Sequence, residues 1–264
     1  MESNEIFTAQ FISGFLSADC PCRITVAEEC PSTNAAVKAL AEEGEEEGYV
    51  LIADRQTQGR GRLGRTFFSP SGTGLYLSVL LRPPMSASEG GRITTVAAVA
   101  AARAVKTVFD LDVEIKWVND LYRNGRKVCG ILTESSVNFE TGRLDYAVCG
   151  VGFNVFPPTG GFPSELQTIA GAVCDGWSPT GRGRLAAGFL NEFYAGLRED
   201  YPSVLEEYRR RSCLIGQRVV SPAKAFPGAA TVLGIDDDGG LMIRLADGGV
   251  RTLSSGEVSV RLYE

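Results

Sequence analysis

The sequence predicts a mixed α/β (α+β) domain followed by a small all-β module. Two observations carry this. From Ser32 to Arg211, segments with helical apolar spacing alternate with short apolar runs of strand length. After Ile215 the texture changes to short strands with turns at Asp236–Gly240 and Asp247–Gly249. A chain of 264 residues, 44% hydrophobic and 22% charged, suits one large domain with a small appendage and needs no covalent staples. The boundary is expected near Cys213, dividing the chain into residues 1–213 and 214–264.

Each element has its own signal. Ile6-Phe7, Phe11-Ile12 and Phe15-Leu16 recur at helical spacing, so the opening segment should pack on the main domain. Ser32-Thr33-Asn34 caps the helix formers Ala35 to Ala41, and the acidic run Glu42 to Glu47, broken by Gly44, ends that helix in a solvated turn. Tyr49 to Ala53 reads as a buried strand, Gly59 to Arg65 as a loop, and Leu75 to Leu81 as an alternating strand. The Ala- and Val-rich stretch Arg92 to Phe109 is a largely buried helix. Strands follow near Val113–Trp117, Lys127–Glu134 and Leu144–Val155, with a turn at Asn124-Gly125, and then helices over Arg184–Arg198 and Val204–Arg211.

Composition excludes several chemistries. With no histidine, Ser-His-Asp and Cys-His catalysis, His-ligated zinc and imidazole acid–base chemistry are absent. The seven cysteines form no C-x-x-C and read as reduced thiols in a cytosolic protein. No Lys or Arg precedes Arg23, unlike a secretory signal, and no apolar run is long enough to span a bilayer, so a soluble, cytoplasmic protein is expected. The net charge of −6 makes the whole surface a poor trap for nucleic acid, so any basic site must be local.

Three segments carry chemistry. Gly59-Arg60-Gly61-Arg62-Leu63-Gly64-Arg65 places three arginines on a loop freed by glycines, which suits an anion clamp, a solvated basic loop or an RGG-type nucleic-acid contact. Lys116-Trp117-Val118-Asn119-Asp120 and Arg126-Lys127-Val128-Cys129-Gly130-Ile131-Leu132 either aim a lysine ammonium at a phosphate or form an amphipathic hairpin with a charged turn. In Gly150-Val151-Gly152-Phe153-Asn154-Val155, the glycines on a strand suggest close approach of a ligand, or a bulge. Neither a P-loop nor a strand-linked G-x-G-x-x-G is present.

The order of these blocks resembles the biotin protein ligase family: Ser32-Thr33-Asn34, then Gln56 through Arg65 with Phe67-Phe68-Ser69-Pro70, then Lys116–Asp120, Lys127–Leu132 and Gly152–Val155. A weaker echo lies in Gly256-Glu257-Val258-Ser259. The resemblance implies a class II aminoacyl-tRNA synthetase-like mixed sheet with flanking helices and a small C-terminal SH3-like β-barrel. It implies ATP, biotin and substrate-associated Mg²⁺ as ligands, with no resident metal. The reaction it implies is formation of biotinyl-5′-AMP, followed by transfer of biotin to a lysine of a biotin carboxyl carrier domain, by a monomer or homodimer. Biotin would be bound by Ser32, Thr33, Asn34, Gln56, Arg60, Gly61, Arg62, Lys127 and Gly130, and the nucleotide by Arg62, Arg65, Phe67, Asn119 and Asn154. Lys127, Arg62 and Asp120 would be catalytic, with Asp120 the candidate to assist deprotonation of the acceptor lysine.

Two departures stand out: Phe67 where many relatives carry Trp, and Val118 where K-W-P-N-D has Pro. The short segment before Ser32 is too small for the helix-turn-helix domain of repressor relatives, so DNA binding is not expected. Two other readings remain: a lipoate or octanoate ligase on a related fold, whose acyl chain needs no polar reader, and an RNA-binding protein using the arginine loop. An interaction module centred on the C-terminal strands would leave the larger domain unexplained.

Overall fold

The computed structural model describes residues 5–222, 225–254 and 261–262. The Gly256–Ser259 echo lies outside them. The first layer is a seven-stranded sheet. Its strands are β1 (Arg23–Cys30), β2 (Tyr49–Gln56), β3 (Gly74–Leu81), β4 (Glu114–Lys116), β5 (Asp120–Arg123), β6 (Arg126–Asn138) and β7 (Arg143–Asn154), in the spatial order β1-β2-β3-β7-β6-β5-β4. The β1–β2 pair is parallel and every other pair is antiparallel.

Five helices flank the sheet: α1 (Ala9–Ser13), α2 (Thr33–Glu42), α3 (Gly91–Phe109), α4 (Gly181–Arg198) and α5 (Tyr201–Arg210). Helices α3, α4 and α5 cover one face, and their Ala, Val, Leu and Phe side chains share a core with Leu75, Leu77, Val79 and Leu81. Helix α2 lies on the other face, where Val37 and Ala41 pack on Leu51, Leu80, Tyr146 and Val148. β3 is therefore buried along its whole length, and the alternation in its sequence marks two packed faces. Because α2 is short, the stretch of its face over β5, β6 and β7 is left for a cavity.

The aromatic N-terminal segment packs as expected: Ile12 is fully buried, and Asn191 on α4 donates to the Phe15 carbonyl at 2.9 Å. Ser32 caps α2 from an extended backbone, its hydroxyl accepting from Ala35 N–H at 3.4 Å. Two strands were not expected. β1 is an edge strand with a half-buried, acid-containing sequence, and β5 has four residues, so neither leaves a clear period in the chain. Tertiary pairing supplies what their local sequence lacks.

The C-terminal strands β8 (Arg218–Val220), β9 (Ala229–Ile235), β10 (Leu241–Arg244), β11 (Val250–Leu253) and β12 (Arg261–Leu262) form an antiparallel sheet in the order β11-β10-β9-β8-β12. Both expected turns are present. Asp236 accepts from the amides of Asp238 and Gly240, and Asp247 from that of Gly249. This sheet packs directly on the first domain: Trp117 Nε1 donates to the Gly239 carbonyl at 2.9 Å, and Arg209 Nε to that of Ile235 at 2.8 Å.

Arg182, at the start of α4, is 2% exposed and ties three segments together. It pairs with Glu5, donates to Asp54 at 2.7 Å and to the Gly74 carbonyl at 2.8 Å, and lies over the Phe7 ring. Burial raises the Asp54 carboxyl, but hydrogen bonds from Ser71 and Arg182 outweigh it and hold the group below its ordinary value. Replacing Arg182 by Ala leaves two partly buried carboxylates without their cation and should cost about 3 kcal/mol or more in urea unfolding. Because the Asp54 carboxyl is depressed in the folded state, its contribution is complete above about pH 4 and is lost as pH falls further. Acid unfolding of the wild type should show this loss, and the Arg182→Ala chain should show a shallower one.

Candidate active site

The uncovered stretch of the α2 face holds a cavity of about 540 Å³. It is lined by the start of α2, the end of β2, the Gly59–Arg65 loop, the β4–β5 connection, β6, β7 and the 166–170 segment. Its floor is defined by missing side chains. Gly130 and Gly152 are paired across β6 and β7, and Gly150 pairs with Leu132. A Cβ on Gly152 would come within 2.7 Å of the Phe67 ring, and one on Gly150 would collide with the Asn34 side-chain amide. These glycines admit protein side chains on the cavity floor, and the β6–β7 register runs through them without a bulge.

One end of the cavity is a buried polar recess. Gln56 Oε1 accepts from Thr33 N–H at 2.8 Å and Thr33 Oγ1 at 3.1 Å, while Gln56 Nε2 donates to Ser69 Oγ at 3.0 Å. Asn34 Nδ2 donates to the Leu132 carbonyl at 3.0 Å and to Glu134 at 2.9 Å. The Ser78 hydroxyl lies 2.8 Å from Thr33 Oγ1 and 2.6 Å from Asn34 Oδ1, and has one proton to share between them. Ser32, Thr33, Asn34, Ser69 and Ser78 are all buried. Satisfied in this way, they form a rigid polar surface.

The other end is charged. Lys127 Nζ lies 2.6 Å from Asp120 Oδ1 and 6.0 Å from the centre of the Phe67 ring. Arg62 Nη1 donates to Asn119 Oδ1 at 3.2 Å, and Asn119 Nδ2 to the Ile131 carbonyl at 2.6 Å. Burial lowers the Arg62 pKa and Arg65 adds to this, while Asp120 and Tyr208 oppose it. A guanidinium nevertheless stays protonated at neutral pH. Behind this end, Tyr208 donates to the Val118 carbonyl at 2.9 Å, so α5 braces the Trp117–Asp120 segment, in which the Trp117–Val118 peptide is cis.

The arginine loop is a small hairpin. Arg60 bridges to Thr66, Gly61 N–H donates to the Arg65 carbonyl at 2.7 Å, and Phe67 N–H to that of Gly59 at 2.9 Å. The acidic run near α2 has other partners: Glu45 pairs with Arg23, and Glu42 accepts from Tyr146.

Every residue to which the sequence assigned a role lines this one cavity: Ser32, Thr33, Asn34, Gln56, Arg60, Gly61, Arg62, Arg65, Phe67, Asn119, Asp120, Lys127, Gly130 and Asn154. Three of them are also structural here. Phe67 packs on the glycine floor and edge-on against Tyr76, Asn34 is spent on protein partners, and Asn154 Nδ2 donates to the Gly171 carbonyl at 3.1 Å, holding the 166–171 wall. Residues with no role in that reading are Ser69, Ser78 and Tyr208. Ser78 left a signal, a small polar residue in the otherwise apolar and aromatic run Leu75–Leu81. Tyr208 left none, because its partner is a backbone carbonyl remote in sequence. Among the described residues no cluster of three or more His, Cys, Asp or Glu could hold a metal. Among the described residues Asp120 is the one carboxylate lining the cavity, which suits a Mg²⁺ ion that arrives on phosphates.

Comparison with known proteins agrees with this geometry. Residues 26–154 match the Biotin/lipoate A/B protein ligase family, and residues 227–261 match the Biotin protein ligase C terminal domain. The biotin–[acetyl-CoA-carboxylase] ligase of Mycobacterium tuberculosis is 33% identical over 251 residues, which span 89% of this chain and 88% of that protein. The bifunctional ligase/repressor BirA of Bacillus subtilis is 29% identical over 237 residues, 87% of this chain and 71% of that protein. A biotin protein ligase from Aquifex aeolicus, solved in complex with biotin and ATP, superposes with a TM-score of 0.75 at 26% identity, over 91% of this chain and 99% of that one. Fold and cavity together define a protein ligase of the biotin/lipoate class. Within that class, the chain belongs to the biotin protein ligase family.

Gly152→Ala forces the Phe67 ring off the floor. It should destabilise the fold by about 1–3 kcal/mol, the scale of an overpacked core position. Gly125→Ala, at an open turn, should leave the cavity unchanged despite its strained φ of 73°. Chemical unfolding of both variants, with tryptophan fluorescence as readout, measures the contrast.

Proposed function

We propose that this chain activates biotin with ATP as biotinyl-5′-AMP and transfers the biotinyl group to a lysine of a biotin carboxyl carrier domain. One observation carries the reading: a single cavity has a rigid hydrogen-bonding recess at one end and Arg62 with Lys127 at the other. Biotin has the same polarity, with a ureido ring at one end and a carboxylate at the other. A dithiolane or alkyl chain would leave the recess without partners, which disfavours the lipoate alternative. The Gln56 amide has a second N–H beyond the one given to Ser69, and the Ser32 hydroxyl, which accepts as a cap, keeps a proton to donate. Both suit a ureido carbonyl.

The chemistry needs no histidine. A biotin carboxylate is ionised at neutral pH and is already the nucleophile. Its attack on the α-phosphorus forms the mixed anhydride and releases pyrophosphate, and the main obstacle is charge repulsion between two anions. In this reading Lys127 and Arg62 lower that repulsion and align the groups, and Arg65 and Asn119 contact the nucleotide. Mg²⁺ entering with ATP supplies further charge neutralisation. In the second step the neutral amine of the carrier lysine attacks the acyl carbon and AMP leaves. Asp120, released from Lys127 once that ammonium turns to the phosphate, is available to accept the amine's proton.

The same reading expects a cytoplasmic protein, divided into a catalytic domain of residues 1–213 and a C-terminal module of 214–264. No helix among the described residues is long and apolar enough to cross a membrane.

The decisive measurement is pyrophosphate release with ATP, Mg²⁺ and either biotin or lipoate. Release with biotin is expected, and release with lipoate alone would falsify the reading. Lys127→Ala should slow single-turnover adenylate formation by about 10²–10³-fold while leaving the melting temperature nearly unchanged. A wild-type rate in that variant would remove Lys127 from the chemistry. Amides of residues 59–65 should gain protection from hydrogen exchange when biotin is added, because an anion between Arg60, Arg62 and Arg65 relieves their mutual repulsion. Equal protection with and without biotin would show that the loop does not respond to the ligand.

A further inference from the structure

The chain has seven cysteines, and two of them face each other across a single proline. In Cys20-Pro21-Cys22 the two Sγ atoms are 3.2 Å apart. The segment is anchored on both sides. Cys20 N–H closes a turn onto the Ser17 carbonyl at 3.0 Å, Arg198 on α4 donates to the Asp19 carbonyl at 3.3 Å, and Arg23 N–H donates to the Gly48 carbonyl at 2.8 Å as β1 begins. Pro21 fixes its own φ between the two anchors. The thiols are thus brought together by the backbone. Both residues are part-exposed.

The seven thiols are not equivalent. Burial pushes the Cys129 and Cys149 thiols up, Cys149 to about 12, and likewise Cys174 and Cys213, each to about 11. Cys30 is raised for the same reason. Cys20 alone goes the other way: a hydrogen bond from Cys22 stabilises its thiolate against the cost of burial, and the Arg198 guanidinium adds to this. Cys22 is correspondingly raised, since it holds the shared proton. A more acidic thiol in contact with a less acidic one is the arrangement of an attacking and a resolving cysteine.

We propose that Cys20 and Cys22 form a redox-active modification site, in which Cys20 reacts with hydrogen peroxide and Cys22 resolves the product to an intramolecular disulfide. In the first step the Cys20 sulfur attacks one peroxide oxygen, the O–O bond breaks, and hydroxide leaves and takes up a proton as water, giving a sulfenic acid. In the second, the Cys22 sulfur gives up its proton and attacks the Cys20 sulfur. The S–O bond breaks and a second water leaves. Two thiols are oxidised by two electrons, which reduce one peroxide to two waters. Reaching bond length from 3.2 Å requires closing the gap by roughly 1 Å, within the reach of side-chain rotation. A dithiol reductant reverses the change by thiol–disulfide exchange. None of residues 17–23 lines the catalytic cavity, so the inference stands apart from the ligase reading.

The test uses the full chain, fully reduced, exposed to equimolar peroxide at neutral pH, then alkylated and digested for mass spectrometry. The expected result is a peptide containing both Cys20 and Cys22 that has lost two hydrogens and resists alkylation, formed at least about tenfold faster than oxidation at the remaining thiols. Cys22→Ser should stop the reaction at a Cys20 sulfenic acid that a cyclic β-diketone traps, and Cys20→Ser should abolish fast oxidation. Alkylation of Cys20 and Cys22 after peroxide to the extent seen without peroxide would overturn the proposal. So would unaltered fast oxidation in the Cys20→Ser chain, or trapping at Cys22 in its place. Both variants replace a part-exposed thiol by a hydroxyl of similar size, and their melting curves report separately on folding.

Discussion

The site depends on a patch of sheet that has no side chains. Gly130, Gly150 and Gly152 remove three Cβ atoms from neighbouring positions on β6 and β7, and the space is filled by Phe67 and by the Asn34 amide. That one constraint sets the relation between elements distant in sequence. Asn34 pins the start of α2 to β6, and Phe67 pins the end of the arginine loop to the same two strands. Were either side chain displaced, the recess and the charged end of the cavity would lose their common floor.

From that floor the two ends of the cavity follow different physics. The recess is closely hydrogen-bonded, running through the uncharged Ser69, Gln56, Thr33, Ser78 and Asn34 and ending on the Glu134 carboxylate. A network of this kind is stiff because any displaced member leaves a buried polar atom without a partner. The charged end is part-exposed, and its polar contacts include Lys127 on Asp120 and Arg62 on Asn119. Such groups can exchange a protein partner for a phosphate or carboxylate oxygen at little cost. A rigid reader beside exchangeable charges fits a ligand that is recognised at one end and reacts at the other.

The C-terminal module enters through the same logic. Its Asp236–Gly240 turn accepts the Trp117 indole N–H, and α5, just before the module, holds the Val118 carbonyl through Tyr208. The two contacts fix the backbone that carries Asn119 and Asp120. The module therefore supports the charged end of the cavity, and none of its described residues lines it.

The helix starting at Ser32, the buried Ala- and Val-rich helix, the turn at Asn124-Gly125 and the change of texture after Ile215 were all legible in the sequence, because each rests on capping, periodicity or turn chemistry within a few residues. So were the arginine loop and the lysine-bearing segments, since the blocks that carry them stand in a recognisable order. The edge strand β1 and the short β5 were not, because their strand character comes from a pairing partner. Nor was the purpose of the β7 glycines: as a sequence, Gly150-Val151-Gly152 fits a ligand or a bulge equally well, and only the packing shows Asn34 and Phe67 in the vacated space. Ser78 and Tyr208 belong to the same class, each acting through one hydrogen bond to a group many residues away. The sequence by itself determined which residues could bind anions and where helices and turns begin, since those properties belong to side chains and their near neighbours. Only the tertiary structure decided which of them share a cavity and which side chains hold the others in place, since long-range contacts are fixed by packing.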